Sequence, residues 1–323
     1  MRETQLVEHI KTLAQQSHAN TSLKVGIGDD CAVFRPVANT DLVFTTDFTI
    51  EDRHFALDTH TAADVGHKAL ARSLSDLAAM GAKPEFCLVS LALRSEISAA
   101  WVKSFYKGLT TLAARYQLSL AGGDLARTDK VTVDVMCCGS VPRGKALLRS
   151  GARPGHHIYI SGELGGSSLG LSKKSGLAWA RHKRPEPRVD LGRHLLGLAS
   201  AAMDLSDGLS LDLSRLCKES GVGACLGSSL PIAKGASLEQ ALHGGEDYEL
   251  LFTAPSRKIV PSQIAGVTVT RSAPQDRTSE DIVSKEILGI HSHHRHCERA
   301  AAEPGVLFRA ARPSVGQVDG KLR

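Results

Sequence analysis

Six short clusters set a carboxylate beside glycine, serine or threonine: GIGDD (Gly26–Asp30), TTD (Thr45–Asp47), LSD (Leu74–Asp76), GGD (Gly122–Asp124), DLSDG (Asp204–Gly208) and GGED (Gly244–Asp247). Small residues let a ligand approach the backbone, and carboxylates are hard oxygen donors suited to Mg²⁺. Two unit charges about 4 Å apart interact by roughly 4 kcal/mol at a protein-surface dielectric. A fold that gathers these clusters would therefore hold mutually repelling groups unless cations lay between them. The pattern points to a multi-metal phosphate site built from distant parts of the chain.

The elements around the clusters follow from periodicity. Residues 1–17 read as an amphipathic helix rather than a signal peptide. Asp41–Phe48 (DLVFTTDF) reads as a buried strand ending in polar groups. A helix begins at Thr61, its cap, with Asp64 in the first turn. Leu70, Leu74, Leu77 and Gly81 form its packed face, and Lys68, Arg72, Ser75 and Asp76 its polar face. Asp76 falls in the last turn, where the helix dipole disfavours a negative charge, so it is either solvated or held by a cation. Glu85–Leu93 is a strand, Ser98–Gln117 a helix, Leu118–Gly123 a strand running into GGD, and Val131–Val141 another strand. Further on, His156–Gly162 and Glu246–Phe252 read as strands. A helix is expected around Leu191–Leu198, and another from Ser206–Gly208 to Gly221. Strands and helices alternate with polar residues at strand ends, an α/β or α+β layered arrangement.

At 323 residues the chain exceeds one ordinary core. The turn-rich Ser150–Gly155 divides an N-terminal domain, 1–146, from a C-terminal α/β domain, 147–270. Beyond Thr270 the patterning decays into an atypical tail, 271–323, with a His-rich run, His291–Cys297, that reads as a solvated segment or a transition-metal binder. No apolar run approaches the ~20 residues of a membrane span. The net charge of +5 is not gathered into blocks, and aromatics are only 4%, which argues against a stacking platform for nucleic acid. Seven cysteines without CxxC spacing read as reduced, buried thiols of a cytoplasmic protein.

The sequence lacks a GxxxxGK[ST] loop and an HExxH pair. ELGGSSLGL (Glu163–Leu171) follows a strand and offers backbone N–H groups to a phosphate, or makes a simple turn. Lys145 and Arg149 near the division point contact polyphosphate or face solvent. Residue chemistry alone gives a Mg²⁺-dependent enzyme acting on phosphates without a P-loop, suited to phosphoryl transfer.

GIGDDCAVF, TTDFTIEDRHF, KALARSLSDLAAMGAKP, AGGDLART, ALLRSGARPG, MDLSDGLSLDL and GGEDYELLFT resemble, in order, the landmarks of the thiamine-monophosphate kinase family, from about Val25 to Thr253. That family lies within the aminoimidazole-ribonucleotide-synthetase-like ATP-binding superfamily. The resemblance implies a two-domain fold of mixed sheets with flanking helices, and a homodimer. It implies ATP-dependent phosphorylation of thiamine monophosphate to thiamine diphosphate, the last step in making that cofactor, by direct transfer without a phosphoenzyme. By the same resemblance Asp29, Asp30, Thr45, Thr46, Asp47, Asp76, Asp124, Asp204 and Asp207 correspond to ligands of several Mg²⁺ ions. Tyr106, Gly123, Asp124, Arg149 and Ser206 correspond to ATP contacts, and His54 and Glu246 to substrate contacts. No catalytic side chain is expected beyond these metal and phosphate ligands, since a phosphate oxygen is already a competent nucleophile.

The departure lies after Thr270, where nothing matches the aromatic Gly-Tyr-Asp-His-Phe type of ending usual in the family. The rival readings are a selenophosphate-synthetase-like or other enzyme of the superfamily, and a nucleotide-binding relative with impaired catalysis. A selenophosphate-synthetase-like enzyme would want a reactive Cys in a glycine-rich N-terminal segment, and none precedes GIGDD.

Overall fold

The computed structural model describes residues 3–17, 20–227, 229–272 and 308–310. The first half contains α1 (Glu3–Ser17), β1 (Leu23–Val25), β2 (Val33–Phe34), β3 (Thr40–Ile50), α2 (Ala62–Ala79), β4 (Lys83–Leu93), α3 (Ala99–Arg115), β5 (Ser119–Arg127) and β6 (Thr132–Pro142). Strands β3, β6, β4 and β5 form a sheet in that order. Only the β4–β5 pair is parallel, joined by the α3 crossover that a parallel pair requires.

Local chemistry sets the helix starts. Thr61 Oγ1 accepts the Asp64 N–H at 3.2 Å while Asp64 Oδ2 accepts the Thr61 N–H at 3.0 Å, a complete capping box for α2. Ser98 Oγ accepts the Trp101 N–H at 3.2 Å at the start of α3. The two helices then cross backbone to backbone. A Cβ on Gly66 would lie 2.0 Å from the Phe105 carbonyl oxygen, and one on Gly108 would lie 2.1 Å from that of Ala63.

Two expectations change here. Strand β3 is an edge strand, and Phe44 and Phe48 on its outer face are 63% and 58% exposed, so the run is half-open rather than buried. Strand β5 does not stop at its glycines but continues through Asp124 to Arg127.

The second half contains β7 (His156–Ser161), α4 (Gly166–Lys173), α5 (Gly176–Lys183), α6 (Val189–His194), β8 (Ala201–Leu205), α7 (Leu209–Ser220), β9 (Val222–Ala224), α8 (Leu238–His243), β10 (Glu249–Pro255), β11 (Gln263–Ile264) and β12 (Val267–Ser272). A short β13 (Phe308–Ala310) pairs antiparallel with β9. The larger sheet runs β11-β12-β7-β10-β8, antiparallel throughout. The helix expected around Leu191–Leu198 is α6, Val189–His194, and β10 begins at Glu249 rather than Glu246. The His-rich run lies outside the described residues.

Side-chain alternation divides the larger sheet between two cores. Ile158 and Ile160 of β7 join Leu205, Leu209, Leu213 and Leu216 in a core beneath α7. Tyr159 stacks on Phe252 at 5.2 Å and joins the main core, which continues through Leu70, Leu74, Phe105 and Val133. Helix α2 lies at the centre, against α3, β3 and β6 on one side and α6, β8 and β10 on the other. Its polar face is therefore not a solvent face: Lys68 and Ser75 are fully buried. Cys87, Cys137 and Cys138 are buried free thiols, whereas Cys31 is exposed. Among the described residues no helix is long and apolar enough to cross a membrane.

Candidate active site

A cavity of about 530 Å³ opens where α2 meets the ends of β3 and β8 and the loop before β10. It is lined by Asp47, Arg53, His54, Arg72, Asp76, Asp204, Ser206, Asp207, Gly245, Glu246 and Tyr248. Seven of these were predicted from sequence: Asp47, His54, Asp76, Asp204, Ser206, Asp207 and Glu246. All but His54 come from four of the six acidic clusters, so the cavity gathers four of the six.

Strand alternation aims the β3 residues. Thr45 and Asp47 point toward α2, where the Thr45 hydroxyl donates to the Asp76 carboxylate and Arg72 Nη2 lies 3.5 Å from Asp47 Oδ1. Thr46 points to the opposite face and donates to Asp134 Oδ1 at 2.5 Å. Its hydroxyl therefore lies on the other face of the strand from Asp47.

Asp204 ends β8 and accepts a hydrogen bond from Ser75 Oγ at 2.9 Å. Burial, and then the Asp76 charge, push the Asp204 carboxyl up to about 7 and that of Asp47 up to about 6. These acids are held where their ionised forms are opposed. Such a donor set fits a hard divalent cation. Among the described residues, no three His, Cys, Asp or Glu side chains close into a ready-made cage.

Glu246, on the cavity wall, is held by two cations of α2. Lys68 Nζ lies 3.0 Å from Glu246 Oε2, and Arg72 Nη1 lies 3.4 Å from Glu246 Oε1. Glu246 and Tyr248 have φ of +65° and +51°, a left-handed bend that non-glycine residues adopt only when held. Backbone bonds hold it here: Glu246 N donates to Ser206 O at 2.8 Å and Tyr248 N to Leu205 O at 2.9 Å. Burial, then Arg72, lower the His54 imidazole to about 4. His54 Nδ1 accepts the Ile50 N–H at 3.0 Å, so the neutral ring carries its proton on Nε2.

The helix start at Ser206–Gly208 is less open to phosphate than its sequence suggests. Asp212 Oδ2 accepts the N–H groups of both Ser206 and Asp207 at 3.0 Å, and Asp207 pairs with Arg215 at 2.5 Å. The glycine-rich loop before α4 is likewise filled. Asp247 accepts the N–H of Gly165 at 2.6 Å and that of Ser167 at 2.9 Å, so its cradle holds the protein's own carboxylate.

The remaining predicted residues lie away from the cavity lining. Asp29 and Asp30 are exposed in the turn between β1 and β2, where Asp29 Oδ1 accepts the Asp30 N–H at 2.9 Å. Gly123 and Asp124 sit exposed on β5, with Asp124 accepting its neighbour Leu125 N–H at 2.9 Å. Arg149 is exposed in a short 3₁₀ turn. Tyr106 is buried in the main core, edge-on to Phe105 at 5.2 Å, so in this structure its ring is a packing group. Sequence reasoning missed Arg53 and Tyr248 as lining residues. It placed Arg72 on a polar face without a role, although the four-residue spacing of Lys68, Arg72 and Asp76 already put the three on one side of α2.

Comparison with known proteins sets this geometry in a family. Residues 28–141 match the model of the AIR synthase related protein, N-terminal domain. A thiamine-monophosphate kinase of Bacillus subtilis (strain 168) is 37% identical over 270 residues, covering 77% of this chain and 83% of that protein. The crystal structure of a thiamine-monophosphate kinase from Stenotrophomonas maltophilia K279a superposes with a TM-score of 0.72 at 37% identity, covering 79% of this chain and 87% of the other. A structure described as AaThiL complexed with AMPPCP and TMP superposes with a TM-score of 0.68 at 31% identity, covering 85% of this chain and 93% of the other.

Proposed function

The chain belongs to the thiamine-monophosphate kinase family, and from that premise we propose that it passes the γ-phosphoryl group of ATP directly to the phosphate of thiamine monophosphate. The product is thiamine diphosphate, and the step completes its biosynthesis. The observation that carries this reading is the single cavity that joins Asp47, Asp76 and Asp204 to His54 and Glu246.

Asp47, Asp76 and Asp204 would hold Mg²⁺, with Thr45 orienting Asp76 and Ser75 orienting Asp204. Bound there, the metal supplies charge neutralisation for the polyphosphate and for the transferring group. Asp29, Asp30, Asp124 and Asp207 are assigned to the same metals by family resemblance, with Gly123, Arg149, Ser206 and Tyr106 on the nucleotide side. The attacking oxygen belongs to the substrate phosphate and is already anionic, so no side chain acts as a strong base. Arg72 and Arg53 set positive charge on the cavity wall where that phosphate would enter. Neutral His54 offers its Nε2–H as a donor, and Glu246 offers a fixed carboxylate.

Residues 1–146 and 147–270 would form the two domains, and the protein would work in the cytoplasm. A second copy would cover the open β3 edge with its exposed Phe44 and Phe48. Light scattering should give a dimer mass for the native chain and a monomer mass for Phe44→Asp/Phe48→Asp. A native monomer would remove the dimer from the proposal.

The decisive assay is ADP release from ATP with and without thiamine monophosphate. Release that depends on thiamine monophosphate and yields thiamine diphosphate supports the kinase. ATP binding without such turnover contradicts it.

A further inference from the structure

One buried cation ties the two sides of the substrate end together. Lys68, on α2, is fully buried, and its ammonium reaches three partners from three parts of the chain. It donates to the His54 carbonyl oxygen at 2.8 Å and to Glu246 Oε2 at 3.0 Å, and it lies 3.4 Å from His182 Nε2 of α5. His54 follows β3 in the first half of the chain, and Glu246 precedes β10 in the second.

The partners are arranged to receive a positive charge. The His182 Nδ1 lies 2.8 Å from Ser167 Oγ, and with the proton on Nδ1 the neutral ring presents Nε2 as an acceptor toward the Lys68 ammonium. Burial keeps that ring neutral by lowering its ionisation to about 4, with the Lys68 charge adding to the effect. Lys68 does not line the cavity, whereas Arg72 one turn later does. Lys68, fully buried, thus acts through the groups it holds.

Stability gives little reason for a lysine at this position. A buried ion pair is often no more stabilising than a well-packed apolar side chain of similar volume. The left-handed backbone at Glu246 gives a better one, since a carboxylate on a strained loop needs a fixed partner to point one way.

We infer that Lys68 is a positioning residue for the substrate end of the site, locking the Glu246 carboxylate and the His54 loop in one relative placement. This rests on the kinase reading and deepens it. The test uses the full-length chain and steady-state ADP release, varying thiamine monophosphate at saturating ATP–Mg²⁺ and then the reverse. The variants are Lys68→Met, Glu246→Gln and the double variant, each with a thermal melt to establish folding.

Lys68→Met is expected to raise KM for thiamine monophosphate at least tenfold while KM for ATP stays within twofold. The double variant leaves no unpaired buried charge and should match Glu246→Gln within threefold, because both changes remove one function. If Lys68→Met does not fold, the comparison of Glu246→Gln with the double variant still decides. An unchanged KM for thiamine monophosphate in folded Lys68→Met overturns the inference. So does an equal rise for both substrates, or a double variant whose defect multiplies the singles. Wild-type protein without turnover dependent on thiamine monophosphate overturns the kinase reading, and this inference with it.

Discussion

Asp247 and Asp212 on one side, and Asp47, Asp76 and Asp204 on the other, all stand near glycine or serine in the sequence, yet they live in opposite environments. Asp247 accepts the N–H groups of Gly165 and Ser167, and Asp212 those of Ser206 and Asp207, so each closes off a helix start or turn. The other three share a cavity in which burial, and then the Asp76 charge, raise the pKa of both Asp47 and Asp204, whereas at Asp247, which burial also raises to about 6, the backbone N–H bonds oppose the rise. The first pair completes the fold, and the trio leaves charge for something else to neutralise. An acidic residue beside a small one is therefore ambiguous until the partners of its oxygens are known.

Substitution should separate the two sets. Asp47→Asn and Asp204→Asn should each lower turnover with saturating thiamine monophosphate and ATP–Mg²⁺ by about a hundredfold or more, as expected for loss of a group aimed at transition-state charge. Near-native turnover in both would erase the distinction.

The next effect is on stability against pH, measured in the presence of a chelator. Asp204 is raised from 3.8 to about 7 in the fold. A raised acid favours the native state below its unfolded value and loses that contribution as pH climbs through the folded one. The melting temperature of the native chain minus that of Asp204→Asn should therefore fall between pH 5 and pH 8, and the variant should melt higher at pH 8. Using the difference cancels the buried histidines, whose lowered values act in the other direction. Magnesium should restore the native chain at pH 8, and a difference independent of pH would count against the crowding.

The smallest effect belongs to the structural set. Asp247→Ala leaves two N–H groups without their acceptor and should cost about 1–3 kcal/mol in denaturant unfolding. Its turnover per folded molecule should stay within a few-fold of native. A hundredfold loss of turnover would place Asp247 with the trio.

What was legible in the sequence was local. The Thr61 cap of α2, with Asp64 in its first turn, and the Gly221 stop of α7 depend on neighbours within a turn, and both occur as expected. The split between Thr45 and Asp47 on one face and Thr46 on the other follows from alternation alone. Longer-range contacts decided the rest. Lys68 reads as a solvated helix residue because the carboxylate that buries it lies 178 positions away. The glycine-rich loop stays open between a phosphate cradle and a simple turn because Asp247, which fills it, is 82 positions from Gly165. Helix α5 ends in a basic run whose anchor is distant in sequence: Lys183 and, just past its end, Arg184 dock on buried Asp64.

The most direct test is a crystal grown with Mn²⁺ and a non-hydrolysable ATP analogue, read by anomalous scattering. The account predicts manganese peaks inside the cavity, each touching at least one carboxylate of Asp47, Asp76 or Asp204 and a phosphate oxygen. Nucleotide bound with those three carboxylates free of metal, and manganese only elsewhere, would contradict it.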